Sequence, residues 1–88
     1  MAQHNLALMY ENGMGVTKDC SEAAKWYRLA AEQGLASSQN NFGALLEAGD
    51  GVQQDFSAAL EWYRRAEQAG DPNAPSNLNR LSNLLKRK

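Results

Sequence analysis

Glu11 and Glu47 are the nearest approach in this sequence to a pair of catalytic carboxylates, and they stand 36 residues apart. On neighbouring packed helices they would lie roughly 9–10 Å from each other. Hydrolysis of a glycosidic bond would need one of them protonated near neutral pH inside an apolar pocket. The residues around them are polar and predict an open face, so the pattern does not favour hydrolysis.

The other reactive side chains do not assemble a catalytic or metal site. His4 is the only histidine, and no second type of metal ligand stands near it at a suitable spacing. Ser21 and Ser57 have no base within reach. The glycine pairs in 13–15 and 49–51 suggest a phosphate-binding loop, but they end helices, and the next helix opens with an aspartate that would repel phosphate. We predict no catalytic residue, no metal and no cofactor.

Cys20 is the only cysteine, which excludes an internal disulfide and a thiolate metal quartet. Lys18 and a predicted helix N-terminus lie close to it and would lower the pKa of its thiol. Phe56 stands 36 residues later, in the same position of the repeat described next. That equivalence favours apolar packing for Cys20.

A repeat of 36 residues organises the whole chain. The dipeptides Trp26-Tyr27 and Trp62-Tyr63 mark it, and sliding residues 2–36 onto 38–72 gives 14 identities in 35 positions without a gap. A constant period in this range is typical of stacked supersecondary units, which usually bind other chains. We predict a first repeat over 1–36, a second over 37–72 and a partial third, a C-terminal capping helix, over 73–88.

Each unit is predicted to contain two helices separated by a glycine turn. In the first unit the apolar stripe of Leu6, Met9 and Tyr10 ends at Gly13, since glycine adopts the left-handed conformation that follows a helix. Asp19 is the expected N-cap of the second helix, and Glu22 would complete a capping box. Gly34 ends that helix, and Gly49, Asp55 and Gly70 repeat the signals in the second unit. The prediction is five helices in an all-α protein.

The small and aromatic residues of the second helices predict how the units pack. Ala23 and Ala30, with Ala59 and Ala66 after them, allow close approach of the helix backbones. Trp26 and Trp62 would fill the space between successive hairpins. Because they recur at one helical position per repeat, we assign them to the core rather than to a ligand-stacking site.

Charge and hydropathy exclude several classes of partner. The formal net charge is −1, which favours neither nucleic acid nor membrane, and no apolar run reaches transmembrane length. The repeat begins at Ala2, so no signal peptide is expected, and the compartment is not predicted. The four basic residues of 73–88 form either a solvated helix end or a contact for an anionic partner.

The first unit reads Ala-Gln-x-Asn-Leu-x-x-Met-Tyr-x-x-Gly-x-Gly-Val-x-x-Asp and then Ala-x-x-Trp-Tyr-x-x-Ala-Ala-x-x-Gly. This pattern resembles the Sel-one-like repeat (SLR), the longer-period relative of the tetratricopeptide repeat, over 2–72 fully and 73–85 in part. The resemblance implies a right-handed α-solenoid that recruits a protein or peptide on a concave surface lined by the first helices. The expected function is therefore a non-catalytic adaptor or scaffold.

The resemblance also implies a second function class, and one branch of the family does not fit this chain. Exported relatives suggest a cell-wall- or carbohydrate-related binder or hydrolase as the second function class. One cysteine-rich branch, with members linked to β-lactam binding, staples each repeat with a cysteine pair, which Cys20 alone cannot do. Ala7 and Asn79 stand where the family prefers glycine, Ser38 where it prefers alanine, and Leu46 and Ser82 where it prefers tyrosine.

The predicted partner-binding surface is the face of each first helix turned away from the apolar stripe. It consists of His4, Asn5, Leu8, Glu11, Asn12, Asn40, Asn41, Ala44, Glu47, Ser76, Asn77, Arg80 and Asn83. We call this set the first-helix face. Arg80 is its only cation, which argues against a clamp for a C-terminal carboxylate.

Two questions about this surface stay open at the level of sequence. The ladder of Asn5, Asn41 and Asn77 either grips the backbone of an extended peptide or bonds adjacent helices to each other. The apolar N-terminal hairpin has no preceding cap, so we expect self-association through it or a missing upstream repeat.

Overall fold

A computed structural model describes residues 2–86 of the chain. It contains five α-helices: α1 (Ala2–Asn12), α2 (Cys20–Glu32), α3 (Ala36–Ala48), α4 (Phe56–Gln68) and α5 (Ala74–Lys86). Each helix packs against the next one along the chain, which produces an elongated stack of 40 × 25 × 17 Å. The predicted all-α solenoid with five helices is confirmed. None of the described helices has both the length and the apolar character needed to cross a bilayer.

Aspartate caps start both second helices, as the sequence predicts. The Asp19 carboxylate accepts from the backbone N–H groups of Ser21 (3.0 Å) and Glu22 (3.2 Å). Asp55 accepts from Ala58 N–H at 3.0 Å. The Asp19 N–H, which the expected capping box would pair with the Glu22 side chain, donates instead to the Tyr10 carbonyl oxygen at 2.9 Å. The turn is thereby tied to the end of the preceding helix.

Gly51 lies in close contact with the preceding repeat. Its φ is +77°, and a Cβ built there would lie 2.3 Å from the carbonyl carbon of Cys20. The loop between α3 and α4 thus rests on the first turn of α2. Gly15 holds the same position in the first unit with the same φ, but the nearest atom to its hypothetical Cβ is Met9 Cε at 3.9 Å.

Two tyrosines, rather than the tryptophans, lie at the centre of the core. Tyr27 is 0% exposed and Tyr63 is 1% exposed, whereas Trp26 and Trp62 are only half-buried at the edge of the core. The tryptophans do pack against the core, to which we assigned them, but the fully buried ring of each pair is that of the tyrosine. Successive residues of one helix point about 100° apart, so only one member of each Trp-Tyr pair can face the core centre.

Small residues surround each buried tyrosine, as the alanine pattern indicates. Ala23 and Ala59 are 0% exposed, and a Cβ on Gly43 would lie 2.9 Å from the Tyr63 ring. In α1 the fully buried residue is Ala7, while the predicted stripe of Leu6, Met9 and Tyr10 is only half-buried. The small residue on the first helix is thus what admits the aromatic ring.

The last helix closes the core on the side of the second repeat. In α5, Ala74 and Leu81 are both 0% exposed, and Leu78 and Leu85 pack against the same cluster. Leu84 remains 47% exposed. The pattern of leucines without a glycine stop therefore forms one continuous helix to Lys86.

Gly15 and Gly51 hold the same position in the two repeats, so substituting each in turn measures what the contact of Gly51 with α2 contributes to stability. We expect Gly15→Ala to cost about 1–2 kcal/mol, because only the left-handed backbone is penalised. Gly51→Ala should cost about 1–3 kcal/mol more, since its Cβ also collides with the α2 backbone. Urea unfolding of both variants checks this, and equal losses would contradict the close packing of the α3–α4 loop on α2.

The difference in burial between Tyr27 and Trp26 gives a second prediction. Tyr27→Ala should reduce the free energy of unfolding by about 3–5 kcal/mol, because it removes a fully buried ring. Trp26→Ala should cost less, because solvent already reaches part of the indole. Chemical denaturation followed by circular dichroism compares the two, and a larger loss for Trp26→Ala would restore the assignment made from sequence.

Candidate functional site

The predicted first-helix face is distributed over α1, α3 and α5, which side chains join into one surface. His4 on α1 lies with its Nδ1 2.6 Å from Ser38 Oγ on α3. Asn77 on α5 donates from Nδ2 to Asn40 Oδ1 on α3 at 3.0 Å. Each first helix is therefore bonded to the next one, although the chain between them passes through a second helix.

The tyrosine hydroxyls contribute a polar contact that sequence reasoning did not assign to this face. Tyr27 donates to Glu11 Oε1 at 2.6 Å, and Tyr63 donates to Glu47 Oε1 at 2.7 Å. Burial, together with the carboxylate beside each hydroxyl, raises the pKa of both tyrosines well above the usual range. Both stay protonated donors at neutral pH. The repetition of Glu and Tyr with the same 16-residue separation was the signal that could have indicated these pairs.

Arg80 extends the second of these pairs into a network. Its Nη2 donates to Glu47 Oε1 at 2.8 Å, and its Nη1 donates to Glu47 Oε2. This fork of two parallel bonds is the strong geometry for an arginine and a carboxylate. Hydrogen bonding by Arg80 lowers the pKa of Glu47 despite the opposing effect of partial burial. The only cation of the predicted first-helix face is thus held by Glu47.

The same network weakens the case for a pair of catalytic carboxylates. A general acid needs a raised pKa, whereas that of Glu47 is lowered by Arg80. Residues 2–86 also contain no group of three or more His, Cys, Asp or Glu side chains that could hold a metal ion. Glu47 is therefore suited to binding a cation rather than to protonating a leaving group.

The asparagine ladder is largely engaged within the protein. Asn77 donates to Asn40, as described, and the Asn41 amide lies close enough to the Tyr27 hydroxyl to act on its pKa. Asn5 is exposed. At two of its three positions the ladder links helices. Asn40, which we expected on the surface, is only 7% exposed because Asn77 lies over it.

The remaining predicted residues divide by exposure. Those open to solvent are Asn5, Asn12, Ala44, Ser76, Arg80 and Asn83, and those half-buried are His4, Leu8, Glu11, Asn41, Glu47 and Asn77. The Asn12 amide donates to the Leu8 carbonyl oxygen at 3.0 Å, and the Leu8 side chain packs against the core. Burial lowers the pKa of His4, which is therefore predominantly neutral at pH 7.

Cys20 lies beside the loop of the following unit rather than in an activating environment. Burial and a hydrogen bond with Asp50 raise the pKa of its thiol, and these effects outweigh that of Lys18. The lowered pKa considered from the sequence was therefore wrong. Asp50 is brought there by the close approach of Gly51, a contact between repeats that local sequence does not show.

The Arg80–Glu47 pair predicts a pH-dependent contribution to stability. A carboxylate whose pKa is lowered in the folded state stabilises it above the unfolded pKa of about 4.3, and this contribution is lost as pH falls through the folded pKa. Arg80→Ala should cost about 1 kcal/mol or less at pH 6, because the arginine is half exposed. At about pH 2 the variant and the parent should be equally stable.

Denaturation across this pH range, with Arg64→Ala as the control, measures the effect. Arg64 forms an exposed pair with Glu61, which Arg65 also contacts, so its loss should change little. A deficit of Arg80→Ala that persists undiminished at low pH would show that packing, rather than the ion pair, is responsible.

Comparison with known proteins gives one family. The family described as Sel1 repeat matches residues 1–35 and again residues 36–71. A sel1-like repeat-containing protein of Acanthamoeba polyphaga mimivirus is 44% identical over 39 residues, which are 44% of this chain and 7% of that protein.

Solved structures give the same result. A Sel1 repeat protein from Oxalobacter formigenes is 47% identical with a TM-score of 0.85, over 88% of this chain and 32% of that one. A protective antigen of uropathogenic Escherichia coli strains, described as displaying an SLR fold, is 37% identical with a TM-score of 0.81, over 83% and 16%. Cysteine-rich protein B of Helicobacter pylori is 29% identical with a TM-score of 0.82, over 86% and 57%. The present chain thus spans less than two thirds of each of these proteins.

Proposed function

Because the chain belongs to the Sel1 repeat family, whose members are generally non-catalytic protein–protein interaction modules, we propose that it is an adaptor or scaffold unit. In this proposal it binds a peptide or protein segment on the first-helix face. The chain covers only part of its relatives, so the activity and partners of a whole protein are part of the proposal.

The observation that carries the proposal is the combination of fixed polar groups with an open, small position between them. Ala44 is exposed in the middle helix, α3, which also carries Glu47 about one turn further on, while Glu11 lies on α1 of the preceding repeat. The hydroxyls of Tyr27 and Tyr63 donate hydrogen bonds that fix the two carboxylates. A ligand segment crossing Ala44 would meet acceptors whose positions are already set.

Preorganisation is the physical reason why such a face suits recognition. Binding costs free energy for every side chain that must be ordered, and that cost falls when hydrogen bonds within the protein have already fixed the side chains. Glu11, Glu47 and Asn77, three half-buried members of the face, are fixed in this way. The outer faces of α2 and α4 instead carry exposed ion pairs such as Arg28–Glu32 and Arg64–Glu61.

Random 12-residue peptides displayed on phage provide a test without a known partner. Selected peptides would be titrated into labelled protein, and backbone amide shifts would map where they bind. We expect the shifts to concentrate on α1, α3 and α5. Ala44→Tyr should weaken binding about tenfold or more by filling the open position, with little change in melting temperature because the site is exposed.

Gln68→Tyr is the matched control, because it places the same ring at an exposed position on α4. It should leave affinity unchanged. Peptides whose shifts map to α2 and α4, and whose binding is weakened by Gln68→Tyr rather than by Ala44→Tyr, would overturn the assignment of the first-helix face. Glycan hydrolysis by the purified chain, abolished by Glu11→Gln, would instead support the hydrolase alternative.

A further inference from the structure

The repeat allows one half of the first-helix face to be compared with the other. Arg80 on α5 and Ala44 on α3 are separated by 36 residues and so occupy the same repeat position. Glu47 and Glu11 are related in the same way, as are Tyr63 and Tyr27. The second half of the face therefore contains a carboxylate, a tyrosine and an arginine, while the first half contains a carboxylate, a tyrosine and an alanine.

In the second half the carboxylate is fully engaged. Both oxygens of Glu47 accept from the Arg80 guanidinium, and Oε1 also accepts from Tyr63. The guanidinium also lies close enough to the Tyr63 hydroxyl for that hydroxyl to act on the pKa of Arg80. This part of the chain therefore shows how a cationic side chain is bound between a carboxylate and a buried tyrosine.

In the first half the same carboxylate is held but lacks the cation. Tyr27 donates to Glu11 Oε1, and within residues 2–86 no hydrogen bond reaches Oε2. None of the ion pairs in that range includes Glu11. Ala44 is exposed at the position from which the guanidinium would come, so the space is open to solvent.

The surrounding charge favours a cation in this place. Asp50 and Glu11 both raise the pKa of the Cys20 thiol, and of the charged groups that act on it only Lys18 opposes them. His4, whose pKa Glu11 also influences, is predominantly neutral at pH 7. A ligand cation would thus meet a Glu11 carboxylate that no ion pair within residues 2–86 neutralises.

We infer that Glu11, the Tyr27 hydroxyl and the open position at Ala44 form a subsite for a basic side chain of the bound peptide. Arginine is preferred to lysine, because its planar fork of donors can engage a carboxylate through two parallel bonds, as Arg80 engages Glu47. The inference rests on the proposed peptide-binding function. It adds that the face selects a basic side chain of the peptide and that this side chain binds at Glu11 of the first repeat.

Removing the charge from the peptide arginine and, separately, from Glu11 tests the subsite. A peptide obtained from the phage selection and mapped to α1, α3 and α5 would be synthesised with its arginine and again with citrulline, which has the same shape but no charge. We expect the citrulline peptide to bind roughly three- to tenfold more weakly to the parent protein. On Glu11→Gln, which preserves the oxygen that accepts from Tyr27, the two peptides should bind equally.

Ala44→Arg provides a second test that needs no ligand. The new guanidinium should pair with Glu11 as Arg80 pairs with Glu47, which would raise the melting temperature above that of Ala44→Gln by a few degrees or less. Glu11→Gln in the same background should cancel the gain. Because its guanidinium already pairs with Glu11, Ala44→Arg should bind the arginine peptide more weakly than the uncharged variant Ala44→Gln does.

The outcomes separate this inference from the proposed function. Selected peptides that map to the first-helix face but contain no basic residue, or that respond equally to citrulline in the parent and in Glu11→Gln, would overturn the subsite while leaving peptide binding intact. An Ala44→Arg variant no more stable than Ala44→Gln, with no dependence on Glu11, would also overturn it. Peptides that map to α2 and α4 would overturn the proposed function itself.

Discussion

The buried tyrosine of each second helix is the constraint on which the rest of the structure depends. Tyr27 and Tyr63 lie at the centre of the core, and a hydroxyl in that position must find a hydrogen-bond partner, because an unsatisfied buried polar group costs about 1–3 kcal/mol. The partner is a glutamate on the first helix of the same unit. Each tyrosine thus requires small residues around its ring and a carboxylate at its tip. The ring packs between the two helices of a hairpin. The hydroxyl holds the glutamate carboxylate in place on the first-helix face.

The same arrangement explains why the first-helix face is polar and yet ordered. The carboxylates that satisfy the core are also the groups that a ligand would meet. Arg80 and Asn77 on α5 then bond to α3, the neighbouring first helix, through Glu47 and Asn40. A repeat protein has few contacts between distant parts of the chain, so such bonds between successive units matter for its cooperativity. The residues that join successive units are therefore the same residues that a peptide bound as we propose would contact.

Differences between the two repeats carry information because the fold keeps equivalent positions in equivalent surroundings. Where a Cβ on Gly15 would meet only Met9 Cε at an ordinary contact distance, a Cβ on Gly51 would collide with the backbone of the preceding repeat. Where α5 supplies Arg80 to Glu47, α3 offers only Ala44 to Glu11. The first contrast marks a contact between repeats. The second marks a position at which the protein's own cation is absent and at which we place the cation of a ligand.

Periodicity in the sequence was sufficient for the fold. The repeated Trp-Tyr pairs, the glycine stops and the aspartate caps specify helix number, boundaries and order, because these are local properties of a chain with a strict period. What only the tertiary structure decided is which residue of each pair lies inside and which polar groups bond across helices. Tyr27 rather than Trp26 is buried, Asn40 is covered by Asn77, and Asp50 lies against Cys20. These contacts depend on the rotation of each helix and on the distance between repeats. Both are set by how the small residues and aromatic rings fit together in three dimensions, and a pattern of residue types along the chain does not contain that information.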